Sequence, residues 1–267
     1  MSVSTLLDKT LAIARRDLLT AVRYRTGFLL GAAGAITELA AFYYLSRAVG
    51  PNFRPEGEQY FCFLVVGTGF YTFLLMGVHA FLQTVQEAQR TGTLEVLMTT
   101  STSPPVLVFL SAISAFTANT FTLAFYLAAG LALFGAPFQP NVGAAIAVFL
   151  LSVVVAGALG LLAAALQLAI QKGSALVWAL GSVWFLTGTM FPVSTLPKPL
   201  RYVSELIPVT HCLDGMRLAL LEGAPWSAVV QKLVILGLFG AVLVPASLLV
   251  FSWTLRRARL QGTLSFY

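Results

Sequence analysis

The chain has 267 residues, 58% of them apolar and 10% charged, with a net charge of +6 and a mean hydropathy of +0.87. Soluble domains carry about 25% charged residues, so this composition excludes a soluble enzyme, a disordered chain and a nucleic-acid binder. It leaves a polytopic membrane protein.

Residues 3–25 come first. Leu7, Leu11, Ala14, Leu18, Ala21 and Val22 recur at helical spacing on one side, and Lys9, Arg16 and Arg23 lie opposite. This is an amphipathic helix expected in the membrane interface. It serves either as a surface anchor alone or also as a contact for a partner.

Six stretches are long and apolar enough to cross a bilayer: Gly27–Val49, Gln59–Leu82, Val106–Phe134, Val142–Ile170, Ala175–Phe191 and Val229–Leu255. The first holds Glu38, about 16 Å above its inner end. An acid at that depth should face the bundle interior, and Asn119 in the third stretch is a possible hydrogen-bond partner. Three roles stay open for Glu38: a polar contact for cargo, a proton-linked step, or a protonated structural group. Aromatic residues crowd the first two stretches, as an interfacial belt or, in part, as the lining of a path. Gly27 and Gly31, and then Ala156, Gly160 and Ala164, repeat every four residues, which suits close helix packing or a dimer seam. The breaks carry turn chemistry in Gly50–Pro55, Ala136–Asn141 and Gln171–Ser174. Ser103-Pro104 supplies an N-cap and a first-turn proline for the third stretch.

Residues 83–103 separate the second and third stretches, far more than a plain connector needs. Gly92 permits a sharp turn. Leu94, Leu97 and Met98 then line one side of a short helix, and Glu87, Arg90 and Glu95 add exposed charge. Such a helix suits a groove on another protein, or the lipid headgroups. Residues 192–227 are cut by Pro192, Pro197, Pro199, Pro208 and Pro225. Two short amphipathic helices are expected there, Leu200–Ile207 and His211–Leu221, with Thr210 as N-cap and Gly223 as the stop. They should dip back into the outer leaflet, packed on the bundle. His211 with Asp214, and Asp214 with Arg217, are spaced for ion pairing on a helix surface.

Lysine and arginine set the orientation. With the N-terminus inside, Lys9, Arg15, Arg16, Arg23, Arg25, Arg90, Lys172, Arg256, Arg257 and Arg259 fall on the inner side. Arg47, Arg54, Lys198, Arg201, Arg217 and Lys232 fall outside or on its flanks. Both termini are therefore expected in the cytoplasm, and no cleavage site follows the first apolar run.

No Gly-Lys pair occurs, so there is no P-loop, and no zinc, thiol-redox or serine-hydrolase motif is present. Neither a catalytic residue nor a metal or cofactor bound by this chain is expected. Cys62 and Cys212 leave room for one disulfide at most.

The chain resembles the permease subunits of ABC-2 type exporters over its whole length. The likeness is carried by the basic helix before the first span and by Glu87-x-x-Arg90-x-Gly92-Thr93-Leu94-Glu95-x-Leu97. It is carried equally by Phe191-Pro192-Val193-Ser194-Thr195-Leu196-Pro197, Ile207-Pro208-Val209-Thr210-His211 and Asp214-x-x-Arg217. The resemblance implies one all-α transmembrane domain over residues 1–267: six spans, an interfacial helix before them and a re-entrant segment between spans five and six. It implies a dimer with a second copy or a paralogue, and a separate cytoplasmic ABC ATPase that holds ATP and magnesium. The loop helix through Met98 would be the coupling element, and the cargo would be an amphipathic drug, lipid or lipid-linked glycan. Two other functions stay open: a membrane anchor that does not transport, and an integral-membrane enzyme acting on lipid.

Overall fold

The computed structural model describes residues 25–57, 59–92, 104–170 and 181–260. The interfacial helix, the stretch from Thr93 through Met98 and the first part of the fifth apolar stretch, residues 175–180, lie outside the described residues. Every regular element among the described residues is helical. They are α1 (Arg25–Val49), α2 (Tyr60–Arg90), α3 (Pro104–Phe134), α4 (Val142–Ile170), α5 (Lys198–Glu205), α6 (Pro208–Leu220) and α7 (Trp226–Leu260), with short 3-10 turns at Pro55–Gly57, Val183–Thr187 and Val193–Thr195. Four helices, α1, α2, α4 and α7, are long and apolar enough to cross a membrane, and the Asn119–Phe134 part of α3 is apolar too.

Helix α2 is the central post. In its most apolar window 72% of residues are buried, against 11% in α1 and 17% in α7. Phe63, Leu64, Phe70, Leu74, Phe81 and Leu82 of α2 are fully buried. α2 packs chiefly on α3 and α4, α4 packs on α7, and α1 rests on α2 and α3. The outward faces of α1 and α7 carry Leu29, Leu30, Leu238 and Leu249, all strongly exposed. In a bilayer that apolar surface costs nothing, because lipid tails are as apolar as leucine.

Several expected boundaries move. The second stretch does not end at Leu82. α2 runs on to Arg90, with Thr91 and Gly92 closing it, and Gly92 has a φ of +67 as a turn glycine should. Gln83–Arg90 therefore belongs to a helix and not to the loop. Leu82, Val85, Ala88 and Gln89 keep a buried stripe going, while Glu87 and Arg90 face out. α3 starts at Pro104, as the proline suggests. The fifth stretch is not α-helical to Phe191. It tightens into the 3-10 turn at Val183 and ends at Gly188, φ +76. Cys62 and Cys212 are buried and no disulfide joins them.

The small-residue ridge of α4 is absorbed inside the chain. Ala156 and Ala164 are buried, and a Cβ at Gly160 would collide with the ring of Phe81. This ridge is thus a seat for α2 and not a seam for a second copy. Gly27 and Gly31 have nothing packed on them in the single chain.

Candidate functional site

Two arrangements stand out, one midway along α1 and one around α6. The first is a cavity of about 220 Å³ among α1, α2 and α3. Three helical stripes converge on it: Gly31, Gly34, Ala35 and Glu38 of α1; Thr68, Thr72 and Met76 of α2; Asn119, Thr122 and Tyr126 of α3. Each follows the three-to-four-residue spacing that keeps side chains on one face. Glu38 and Asn119 do share this site, but no direct hydrogen bond joins them. Glu38 stays exposed in the single chain. The Tyr126 hydroxyl and the Thr68 hydroxyl are buried without a hydrogen-bond partner, and Tyr126 as a residue is only 6% exposed. Sequence reasoning missed Thr68, Thr72 and Tyr126. The signal was available, since Asn119, Thr122 and Tyr126 fall at i, i+3 and i+7.

The second arrangement is built around Arg217 of α6. Its side chain does not sit on a helix surface, and Asp214 is not its salt-bridge partner. Arg217 is 3% exposed, with its guanidinium 3.5 Å above the ring of Phe63 in α2. Nη2 donates to the carbonyl oxygens of Gly188 at 2.8 Å, Thr189 at 3.1 Å and, more weakly, Phe63 at 3.4 Å. Gly67 makes room: a Cβ there would collide with Nη2 of Arg217 and with the carbonyl oxygen of Thr189. Asp214 instead accepts from Lys232 of α7 at 2.9 Å. His211 Nε2 meets the carbonyl oxygen of Glu205 at 2.8 Å, so His211 does not pair with Asp214. Glu56, in the turn between α1 and α2, lies within electrostatic reach of Arg217, Asp214 and Lys232.

Around this centre the segment of residues 192–227 is knitted to the bundle. Pro208 occupies the first turn of α6, with Ile207 as N-cap. Thr210 is not the cap. It sits inside the helix, and its hydroxyl donates back to the Ser204 carbonyl at 2.8 Å, because a proline can open a helix where its missing N–H costs nothing. α5 likewise opens earlier than expected, at Lys198 behind Pro197. Gly223, φ +57, follows the end of α6 as the expected stop. Beyond it, Gln139 and Asn141 donate backbone N–H groups to Leu220 and Ala219, and the Asn141 side chain donates to Ala224. The 3-10 turn around Pro192 carries no buried residue of its own, although Pro192 itself is buried.

The aromatics divide by depth. Phe70, Phe73 and Phe81 are core: Phe73 stacks with Phe70 and Phe149, and Phe73 and Phe81 meet Phe116 edge-on. Tyr43, Tyr60, Phe61 and Phe134 line an open hollow of about 560 Å³ with Arg47 and Arg54 near the ends of α1 and α2. Among the described residues no group of three or more His, Cys, Asp or Glu side chains is placed to hold a metal ion.

Long apolar helices around one buried post, with the short helices α5 and α6 packed on them, define a multi-pass helical membrane protein. Residues 40–249 match the family model described as ABC-2 family transporter protein. The chain belongs to that family and is a membrane permease component of an ABC transporter. No match was found among curated proteins.

Proposed function

We propose that the chain is the membrane-spanning subunit of an ATP-driven exporter that moves an amphipathic cargo: a drug, a lipid or a lipid-linked glycan. Two copies, or this chain and a paralogue, surround the path, and a separate cytoplasmic ABC ATPase supplies the work. Six spans cross the cell membrane with both termini inside. Helix 3–25 lies in the inner interface with Lys9, Arg16 and Arg23 toward the headgroups.

The single observation that carries this reading is the family match over residues 40–249, in a chain whose sequence holds no P-loop. The length of α2 supports it further. At 1.5 Å per residue its 31 residues reach about 46 Å, well past a hydrocarbon core of roughly 30 Å. The helix therefore carries Glu87, Arg90 and the Gly92 turn out of the bilayer. There Thr93, Leu94, Glu95, Leu97 and Met98 form the coupling helix that the ATPase grips. ATP-driven closure pushes this knob and tilts the spans continuous with it. The outer segment, Pro192 through Arg217, re-enters the outer leaflet and roofs the path past Glu38 and Asn119.

Thiol labelling in intact cells tests the orientation on which this depends. With Cys62 and Cys212 replaced by serine, Arg54→Cys is expected to react with a membrane-impermeant maleimide. Thr93→Cys is expected to react only after the cells are opened. The opposite pattern would place the coupling helix outside and refute the proposal.

A further inference from the structure

We propose that the cavity among α1, α2 and α3 binds the protonated amine of an amphipathic molecule. The permease reading supplies the reason such a molecule would travel there; the chemistry of the site stands on its own residues.

Glu38 lies mid-depth on α1, where an ionised acid needs a counter-charge. None is at hand. Arg47 is nine residues further along the same helix, about 13 Å away. Arg217 is committed to Phe63, Gly188 and Thr189. Among the described residues no salt bridge involves Glu38. Yet the cavity around it is rich in acceptors. The Tyr126 and Thr68 hydroxyls are buried there without partners, and Thr72 and the Asn119 amide line the same wall. Buried polar groups left unpaired are costly, so a ligand that satisfies them gains affinity.

An ammonium group matches this set. It brings the missing positive charge and three N–H donors. Phe73, Leu123, Met76 and the ring of Tyr126 line the same cavity and offer apolar contact to the carbons beside it. An anion would meet the Glu38 carboxylate. A neutral sugar would satisfy the hydroxyls but leave the acid without its counter-charge. At about 220 Å³ the cavity takes an ammonium head and a few methylenes. The rest of the molecule extends out beside α1, whose exposed face leaves room for it.

The full-length chain in nanodiscs of zwitterionic lipid tests this with one probe pair. The first probe is 1,12-diaminododecane dansylated at one end, and the second is the same molecule with its free amine acetylated. The wild-type chain is expected to bind the amine at least about tenfold more tightly than the acetylated probe, because only the amine forms a charge-assisted hydrogen bond to the Glu38 carboxylate. Glu38→Gln, which keeps the shape, is expected to bring the two probes within about twofold. Tyr126→Phe is expected to weaken amine binding a few-fold and leave the acetylated probe unchanged. Equal wild-type affinities would overturn the proposal, as would a preference that survives in Glu38→Gln. Should Glu38→Gln fail to fold, the wild-type comparison decides alone. Amine preference in a chain that recruits no ATPase would keep the site and remove the export reading. ATPase recruitment without amine preference would do the reverse.

Discussion

Replacing Arg217 with alanine is expected to loosen the outer segment and expose Cys212 to thiol reagents. Nη2 of Arg217 is the joint between three pieces of chain far apart in sequence: α2 at Phe63, the turn at Gly188 and Thr189, and α6 itself. Alanine removes these bonds and the stacking on Phe63, and leaves two well-bonded carbonyls unpaired in a buried site. Interhelical hydrogen bonds in membranes average below 1 kcal/mol each. Added to the unpaired carbonyls and the cavity left behind, the loss comes to about 3 kcal/mol. That corresponds to roughly a hundredfold shift in the local opening equilibrium. Cys212 is fully buried on the same helix, so in a Cys62→Ser background its labelling rate should rise by about that factor. Arg217→Lys should give little rescue, because an ammonium lacks the flat face that rests on Phe63. A labelling rate unchanged in Arg217→Ala would remove the joint from the account.

Leu97→Asp and Glu95→Lys are expected to abolish stable association with the ATPase while leaving the chain folded in the membrane. Leu94, Leu97 and Met98 form the apolar stripe of the proposed coupling helix, and one buried anchor of this kind is typically worth about 2 kcal/mol or more at an interface. A charge in its place adds a desolvation penalty. The measurement is co-purification of the ATPase with the tagged chain, normalised to the amount in the membrane, with at least about a thirtyfold loss in affinity expected. Association as strong as wild type would take the coupling role away from this helix.

How far the sequence carries the fold differs between elements. Apolar runs and proline or glycine breaks are local signals, and they locate α1, the start of α3, α4 and the turn at Gly92. The end of α2 escapes them. Once the helix passes beyond the apolar run, Gln83–Arg90 reads as polar loop, although the spacing of Leu82, Val85 and Ala88 keeps one side buried. Arg217 escapes for a different reason. Helical spacing offers Asp214 as a neighbour, whereas the groups it bonds are backbone carbonyls 28, 29 and 154 residues away, and no side-chain pattern marks a carbonyl. Asp214 found Lys232 on α7 instead, a pairing that needs the tertiary fold. The acid at Glu38 was legible because charge is rare in these helices. The hydroxyls facing it were legible only in outline, since threonine and tyrosine are ordinary residues in a span until three stripes are brought together. Likewise the Ala156, Gly160 and Ala164 ridge fits two kinds of packing, and the ring of Phe81 resting on it selects the internal one.

ATP hydrolysis by the purified chain, measured alone and after reconstitution with the ABC ATPase that co-purifies with it, tests the central claim most directly. The account predicts no hydrolysis by the chain alone, and hydrolysis in the complex that depends on the partner's nucleotide site. Hydrolysis by the isolated chain, or purification from native membranes without any ABC ATPase, would contradict it.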